Sequence, residues 1–457
     1  MTSDERLLGP PLARSPLACY LRSMSSGHPR HVVPLLAGLT VFAGGAALAV
    51  RQHQFAPGLA AALCFAAVIA AALLISWGAE ATQFFVSQGF AVAFIALLQV
   101  VPEFMVEAVI AWEAGKTGSV DLVFANATGS NRLLTGFGWP LIFFVTDHYH
   151  RRRHGRPLDA IRLRPEHAVE ILALFFASSW YLVILARGRL TLLDSAVLGG
   201  AFVLYLWLLN RLPAEEEDEK EELLATPRYL VELRPPLARN ALLLALFALG
   251  GVVMWGVAHP FLDAMEHVAI AVGVSQFAFV QWVAPFLTEF PEKVTAVYWS
   301  RTVKLAPMAL LNMVSSTVNQ YTALVAMIPL AYALSVGAPL AIPLDPLHRT
   351  EIFLSFATTL YGVACLLKFR VTRANAITMF ALFALQFFYE GPIDLPRIGV
   401  IGLDLPAVEC HLAVAWAYVF LSVAEVSRHG RESRIREALR ETLAAMRRKR
   451  AGAGDLL

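Results

Sequence analysis

The sequence predicts an all-α polytopic membrane protein of about twelve transmembrane helices: two inverted five-helix repeats plus one extra helix at each end. Three observations predict it. The chain of 457 residues is 57% hydrophobic and only 16% charged, more apolar surface than a soluble fold of that length buries. Its apolar runs reach the roughly 20 residues that cross a bilayer as a helix. Two of those runs also carry one pattern: Val86-Ser87-Gln88 ahead of Pro102-Glu103, and Val274-Ser275-Gln276 ahead of Pro291-Glu292.

The first 31 residues are basic and contain no apolar run, so no cleavable signal peptide is expected and the first helix, starting near His31, is retained. Spans are expected at about 32–50, 57–78, 83–113, 119–145, 167–186, 190–210, 239–258, 263–300, 305–334, 350–368, 374–391 and 408–427. Three of these are long enough to be tilted, broken or extended beyond the membrane. Lys and Arg set the orientation. With the N-terminus inside, the Arg151-Arg152-Arg153 loop, Arg301 with Lys304, the Lys368/Arg370/Arg373 cluster and the basic tail after Ser427 all face the cytoplasm, while Lys116, Arg187 and Arg349 are isolated basics outside. Both termini are therefore expected inside, in a bacterial inner membrane.

That parity threads the third span outward and the eighth inward, so the two similar segments run in opposite directions, the plan of many secondary transporters. It divides the chain into 1–56 (N-terminus and extra helix), 57–210 (first repeat), 211–238 (an acidic cytoplasmic linker with Glu215 to Glu222), 239–391 (second repeat) and 392–457 (extra helix and basic tail). The four cysteines form neither a disulfide framework nor a zinc spacing.

Chemistry concentrates at the Pro-Glu pairs. A carboxylate costs about 2.5–3.5 kcal/mol at a helix centre in a bilayer, so two in matching contexts point to a cation site. Pro102 and Pro291 each break a helix and free a carbonyl four residues back, at Leu98 and Leu287. Such carbonyls survive in a membrane only where protein, water or an ion satisfies them. Carbonyl and carboxylate oxygens suit hard cations such as Ca²⁺ and Na⁺, and the lack of sulfur or histidine clusters disfavours zinc and copper. Glu103 and Glu292 are the expected metal ligands. Glu289 shares a helix face with Glu292; Glu107 shares one with Glu103 but is expected to face water near the outer end of its helix. Each Pro-Glu is followed by Asn-x-x-x-Ser, Asn126 with Ser130 and Asn312 with Ser316, whose polar groups face one way and serve as further ligands or as hydrogen-bond glue between helices. Converging carboxylates cannot all stay ionised alone, so metal and protons are expected to compete for them.

These residues resemble the cation/calcium antiporter superfamily, which includes the sodium/calcium exchangers and has two inverted alpha repeats, each similar to Gly-Thr-Ser-x-Pro-Glu followed by Gly-Asn-x-x-Gly-Ser-Asn. The matches are Pro102-Glu103 with Asn126-Ala127-Thr128-Gly129-Ser130-Asn131, and Thr288, Pro291-Glu292, Asn312 and Ser316. The resemblance implies that Thr288 is also a ligand. The chain departs from the pattern at Gln99 and Val100, at Glu289 in place of a Ser, and at Leu134 and Gln320 where the family has Asn or Asp. The resemblance implies that three sodium-ligand positions are altered.

The expected function is secondary antiport of Ca²⁺ against Na⁺ or H⁺ by alternating access at a midplane carboxylate site. The alternatives are an Na⁺/H⁺ antiporter and, in another class, an intramembrane enzyme or sensor, which no nucleophile–base motif or nucleotide loop supports. No cofactor is expected beyond the transported ions. The expected partners are lipid and inorganic cations, with no nucleic acid; the oligomeric state stays open.

Overall fold

The structure is a computed structural model that describes residues 29–53, 55–82, 101–164, 167–211, 225–271, 276–301, 303–389 and 407–430, with 436, 437, 439 and 440 of the tail. Residues 86–88, 274–275, 98–100 and the acidic run 215–222 lie outside the described residues.

Helix α1 (Pro29–Gln52) leads into α2 (Pro57–Thr82), and α3 (Val101–Thr117) follows. Next comes a long composite helix: α4 (Ala125–Arg132), a π-helical turn (Leu133–Gly138) and α5 (Trp139–His154). Strand β1 (Ala160–Arg162), α6 (Ala168–Arg187), β2 (Arg189–Leu190) and α7 (Leu192–Asn210) complete this half. After the short α8 (Ala225–Glu232), α9 (Pro236–Ala271) opens the second half. The next span is α10 (Gln276–Ala278), a π-helical turn (Phe279–Val283) and α11 (Ala284–Thr288); it breaks at Glu289 and resumes as α12 (Phe290–Ser300). Then come α13 (Ala306–Asn319), a π-helical turn (Gln320–Leu324), α14 (Val325–Val336), β3 (Ile342–Pro343), α15 (Pro346–Leu366), β4 (Arg370–Thr372), α16 (Arg373–Tyr389) and α17 (Ala407–His429).

One expected boundary is wrong. The turn expected between 258 and 263 is helical, and α9 runs through Pro260 to Ala271. Pro260 costs one hydrogen bond, but in an apolar stretch the neighbouring peptide groups have no water to turn to, so the helix holds on both sides.

Among the described residues six helices are long and apolar enough to cross a bilayer: Val32–Gln52, Pro57–Ile75, Ala168–Arg187, Leu192–Asn210, Pro236–Val257 and Val408–His429. Their outer faces are apolar, with Val203, Trp207, Val252, Trp255 and Phe420 exposed, as a lipid-facing surface requires. The interior is an apolar core that also holds polar side chains. Asn126, Ser130, Asn131, Arg132, Asn312, Ser316 and Gln320 are all buried, the inside-out pattern of intramembrane polar residues.

Packing follows residue size. Helix α9 lies along α2, and a Cβ on Gly250 would come within 2.4 Å of the Ile75 side chain, so the approach requires glycine. Helix α15 packs against α6 and α17, and α14 against α3 and α7. Helix α6 ends at Gly188, left-handed at φ 63°, where glycine avoids the Cβ clash. The turn after it is pinned by buried Asp194, which accepts from Thr191 N and Oγ1, 2.8 Å each, and from Trp180 Nε1 at 2.8 Å. Two small antiparallel ladders join the halves: β1 pairs with β4 and β2 with β3.

Candidate functional site

Helix α3 is described from Val101, and Pro102 is its second described residue. Glu103 and Glu107 follow on one face, and both are buried. Glu107 does not face water as expected; Asn126 Nδ2 on α4 donates to its Oε2 at 2.7 Å. The outward position inferred from chain direction gives way to a polar partner on the neighbouring helix.

Glu103 meets the second half through Ser130. The Ser130 hydroxyl contacts both Glu103 Oε1 and Glu289 Oε1. Gln320 Nε2, at the start of its π-helical turn, lies 2.6 Å from Glu103 Oε2, 2.9 Å from Ser130 Oγ and 3.0 Å from Glu289 Oε1. Glu289 occupies the break between α11 and α12, and its Oε2 is paired with the ammonium of Lys293 one turn later. Glu292 is fully buried beside Lys293 and the Ser316 hydroxyl. Glu103 is within electrostatic range of Glu289, Glu292 and Glu107.

Of the remaining expected residues, Asn312 is buried one turn before Ser316 on α13. Thr288 donates back to Ala284 O at 3.1 Å and Pro285 O at 3.3 Å, leaving only its lone pairs for a ligand. The helix is interrupted at Glu289, two residues before Pro291.

Several acceptors in this region lack donors among the described residues: both oxygens of Glu292, Glu107 Oε1, Asn126 Oδ1 and Gln320 Oε1. Buried oxygens without donors are rare and are the atoms a cation or an added proton satisfies. Among the described residues no three His, Cys, Asp or Glu side chains gather closely enough to hold a metal by themselves. A cation bound here therefore draws on amide and hydroxyl oxygens as well.

Three participants are absent from the expected ligand set. Gln320 is one of the polar residues that interrupt the Asn312 span and stands where the family pattern has Asn or Asp. Lys293 follows Pro291-Glu292 directly and reads as an ordinary basic residue. Arg132, two residues after Ser130, is fully buried; it pairs with Glu351 on α15 and donates to Gln386 Oε1 on α16 at 3.1 Å. His411 Nδ1 on α17 lies 2.7 Å from Glu351 Oε1, and Gln281 Nε2 donates to Glu351 Oε2 at 2.5 Å. This polar cluster ties α4 to α15, α16 and α17.

The profile of the sodium/calcium exchanger protein family matches residues 55–210 and 242–390. The chain belongs to the sodium/calcium exchanger family. Family membership makes it a membrane cation/calcium antiporter with a transport role rather than a catalytic one. The fold is similar to that of an H⁺/Ca²⁺ exchanger, CAX, at 28% identity and a TM-score of 0.78, covering 90% of this chain and 97% of that one. It is also similar to that of the sodium-calcium exchanger NCX_Mj, at 17% identity and a TM-score of 0.51, covering 74% of this chain and 99% of that one. Among curated proteins, no sequence matches this exchanger-family chain.

Proposed function

We propose that the protein exchanges Ca²⁺ for H⁺ by alternating access, at a midplane site centred on Glu103, Glu289 and Glu292. The observation that carries this reading is the single Ser130 hydroxyl placed between Glu103 and Glu289. A hydroxyl has one proton to donate. It can give that proton to one carboxylate only; at the other contact the acid must itself donate. Without a cation at this contact one of the two acids carries a proton, and a cation entering the site displaces it. The family resemblance points the same way, since Glu289 stands where the family has a Ser and Gln320 where it has Asn or Asp. The likeness to an H⁺/Ca²⁺ exchanger adds support.

The layout behind this function is two inverted repeats, 57–210 and 239–391, within about twelve spans and with both termini inside a bacterial inner membrane. Family-matched blocks at 55–210 and 242–390 support that division. So do the π-helical turns that begin seven residues after Asn126 and eight after Asn312. The ladders also agree: exchanging the halves turns the β1–β4 pair into β3–β2.

The test is isotope flux in reconstituted vesicles with calcium, sodium and potassium, each with and without a pH gradient. Calcium uptake driven by an outward proton gradient is expected. Uptake that requires sodium and ignores the pH gradient refutes proton coupling.

A further inference from the structure

We infer that Lys293 is a tethered cation that shares the site with the transported ion: its ammonium occupies Glu289 when the site is empty and leaves when calcium binds. The inference rests on the exchange reading above and adds what sets its charge ratio.

The ammonium is paired with Glu289 Oε2, whose other oxygen contacts Ser130 at the centre of the site. Lys293 is nearly inaccessible, at 4% exposure, so this positive charge belongs to the site and not to a solvated surface. A buried ammonium has to be paired, and a divalent cation drawing on Glu289 removes that pairing. From its place on Glu289 the Nζ atom also lies 5.7 Å from the centroid of the Phe286 ring, at the outer edge of cation–π range, and Phe286 is partly exposed at 39%; a swing toward that ring takes the ammonium off Glu289. A lysine has a flexible four-carbon stem and a compact charge, so the move between the two needs only side-chain rotation.

The consequence is a change in charge balance. Four carboxylates, Glu103, Glu107, Glu289 and Glu292, are buried together with one ammonium. If the lysine stayed on Glu289 throughout, calcium's two charges would replace two monovalent charges. If the lysine withdraws as calcium enters, its own charge is one of the two replaced, and only one monovalent ion needs to cross in return. Lys293 then lowers the number of counter-ions per calcium by one.

The experiment measures the calcium gradient that halts net flux against a fixed proton gradient, and separately against a fixed sodium gradient, for wild type, Lys293→Met and Lys293→Gln. The expected ratio of counter-ions to calcium is higher by one in both variants. Lys293→Gln keeps a hydrogen-bond donor for Glu289 without the charge, so it keeps the comparison available if Lys293→Met folds poorly. A ratio identical to wild type in the variants overturns the inference and leaves Lys293 as a fixed partner of Glu289. Wild-type flux driven by sodium overturns the proton reading alone, because the ratio comparison then stands on sodium.

Discussion

Arg132 and Glu351, 219 residues apart, form an ion pair in which neither side chain reaches solvent. Breaking a buried pair strands a charge, at a cost of about 3–5 kcal/mol, whereas replacing both partners by apolar residues is often neutral or stabilising. Arg132→Met and Glu351→Met are each expected to lower the thermal stability of the detergent-solubilised protein by several degrees. The double variant should recover most of the loss. A double variant no better than the worse single one contradicts this account.

Glu103→Gln and Glu292→Gln are each expected to reduce calcium flux to background while the protein still inserts and folds. Each change removes a negative charge and replaces one carboxylate oxygen with a donor. Size-exclusion profiles and isotope flux check it together. Flux near the wild-type rate in either variant means that the two acids do not form one site.

Calcium flux should rise with an imposed proton gradient and fall as the cation-loading side is acidified. The sign follows from competition: acid on that side fills carboxylates that calcium needs. Glu289→Ser should flatten the pH profile, since Ser130 then contacts one acid and not two. An unchanged profile in that variant removes Glu289 from proton coupling.

Gly129 faces the backbone of the second half so closely that an added Cβ would lie 1.7 Å from the Gln281 carbonyl oxygen. Gly129→Ala must push α4 away from the π-helical turn at Phe279–Val283. Overpacking of this kind costs about 1–3 kcal/mol, and it displaces Ser130 next door. Loss of flux with a lowered melting temperature is expected. Normal transport by the variant would falsify the close packing.

Orientation is open to direct labelling. Lys116 and Arg153 are both exposed, at opposite ends of the first half. With single cysteines at these positions in a cysteine-free background, an impermeant thiol reagent applied outside should label position 116 and spare 153. The reverse result sinks the proposed threading.

The membrane class, the Pro-Glu pairs and the Asn-Ser helices could be read from residue types and spacing, because apolar runs and their polar interruptions are local properties. Glu103, Ser130 and Glu289 were legible for that reason, and the structure brings them into contact. The burial of Glu107 was not, because it depends on Asn126 arriving from another helix. Nor were the roles of Lys293 and Gln320. Sequence gives their positions on a helix, but a helix break and a π-helical turn decide which way they face. The Arg132–Glu351 pair is more remote still, since its partners are set by tertiary packing alone. Between 258 and 263, where the spans were expected to part, the bilayer's demand for backbone hydrogen bonds keeps the helix going through Pro260.

The two strand ladders have a mechanical consequence. β1 precedes α6 and β4 follows α15, while β2 follows α6 and β3 precedes α15. Each end of α6 is thus fastened to the opposite end of α15, with Leu163 N donating to Phe369 O at 2.8 Å on one side and Leu344 N to Gly188 O at 3.0 Å on the other. The two helices make an antiparallel strut clamped at both membrane faces, and they cannot slide or splay without unzipping a ladder. In the proposed exchange cycle, whatever opens the carboxylates first to one side and then to the other has to move against this strut.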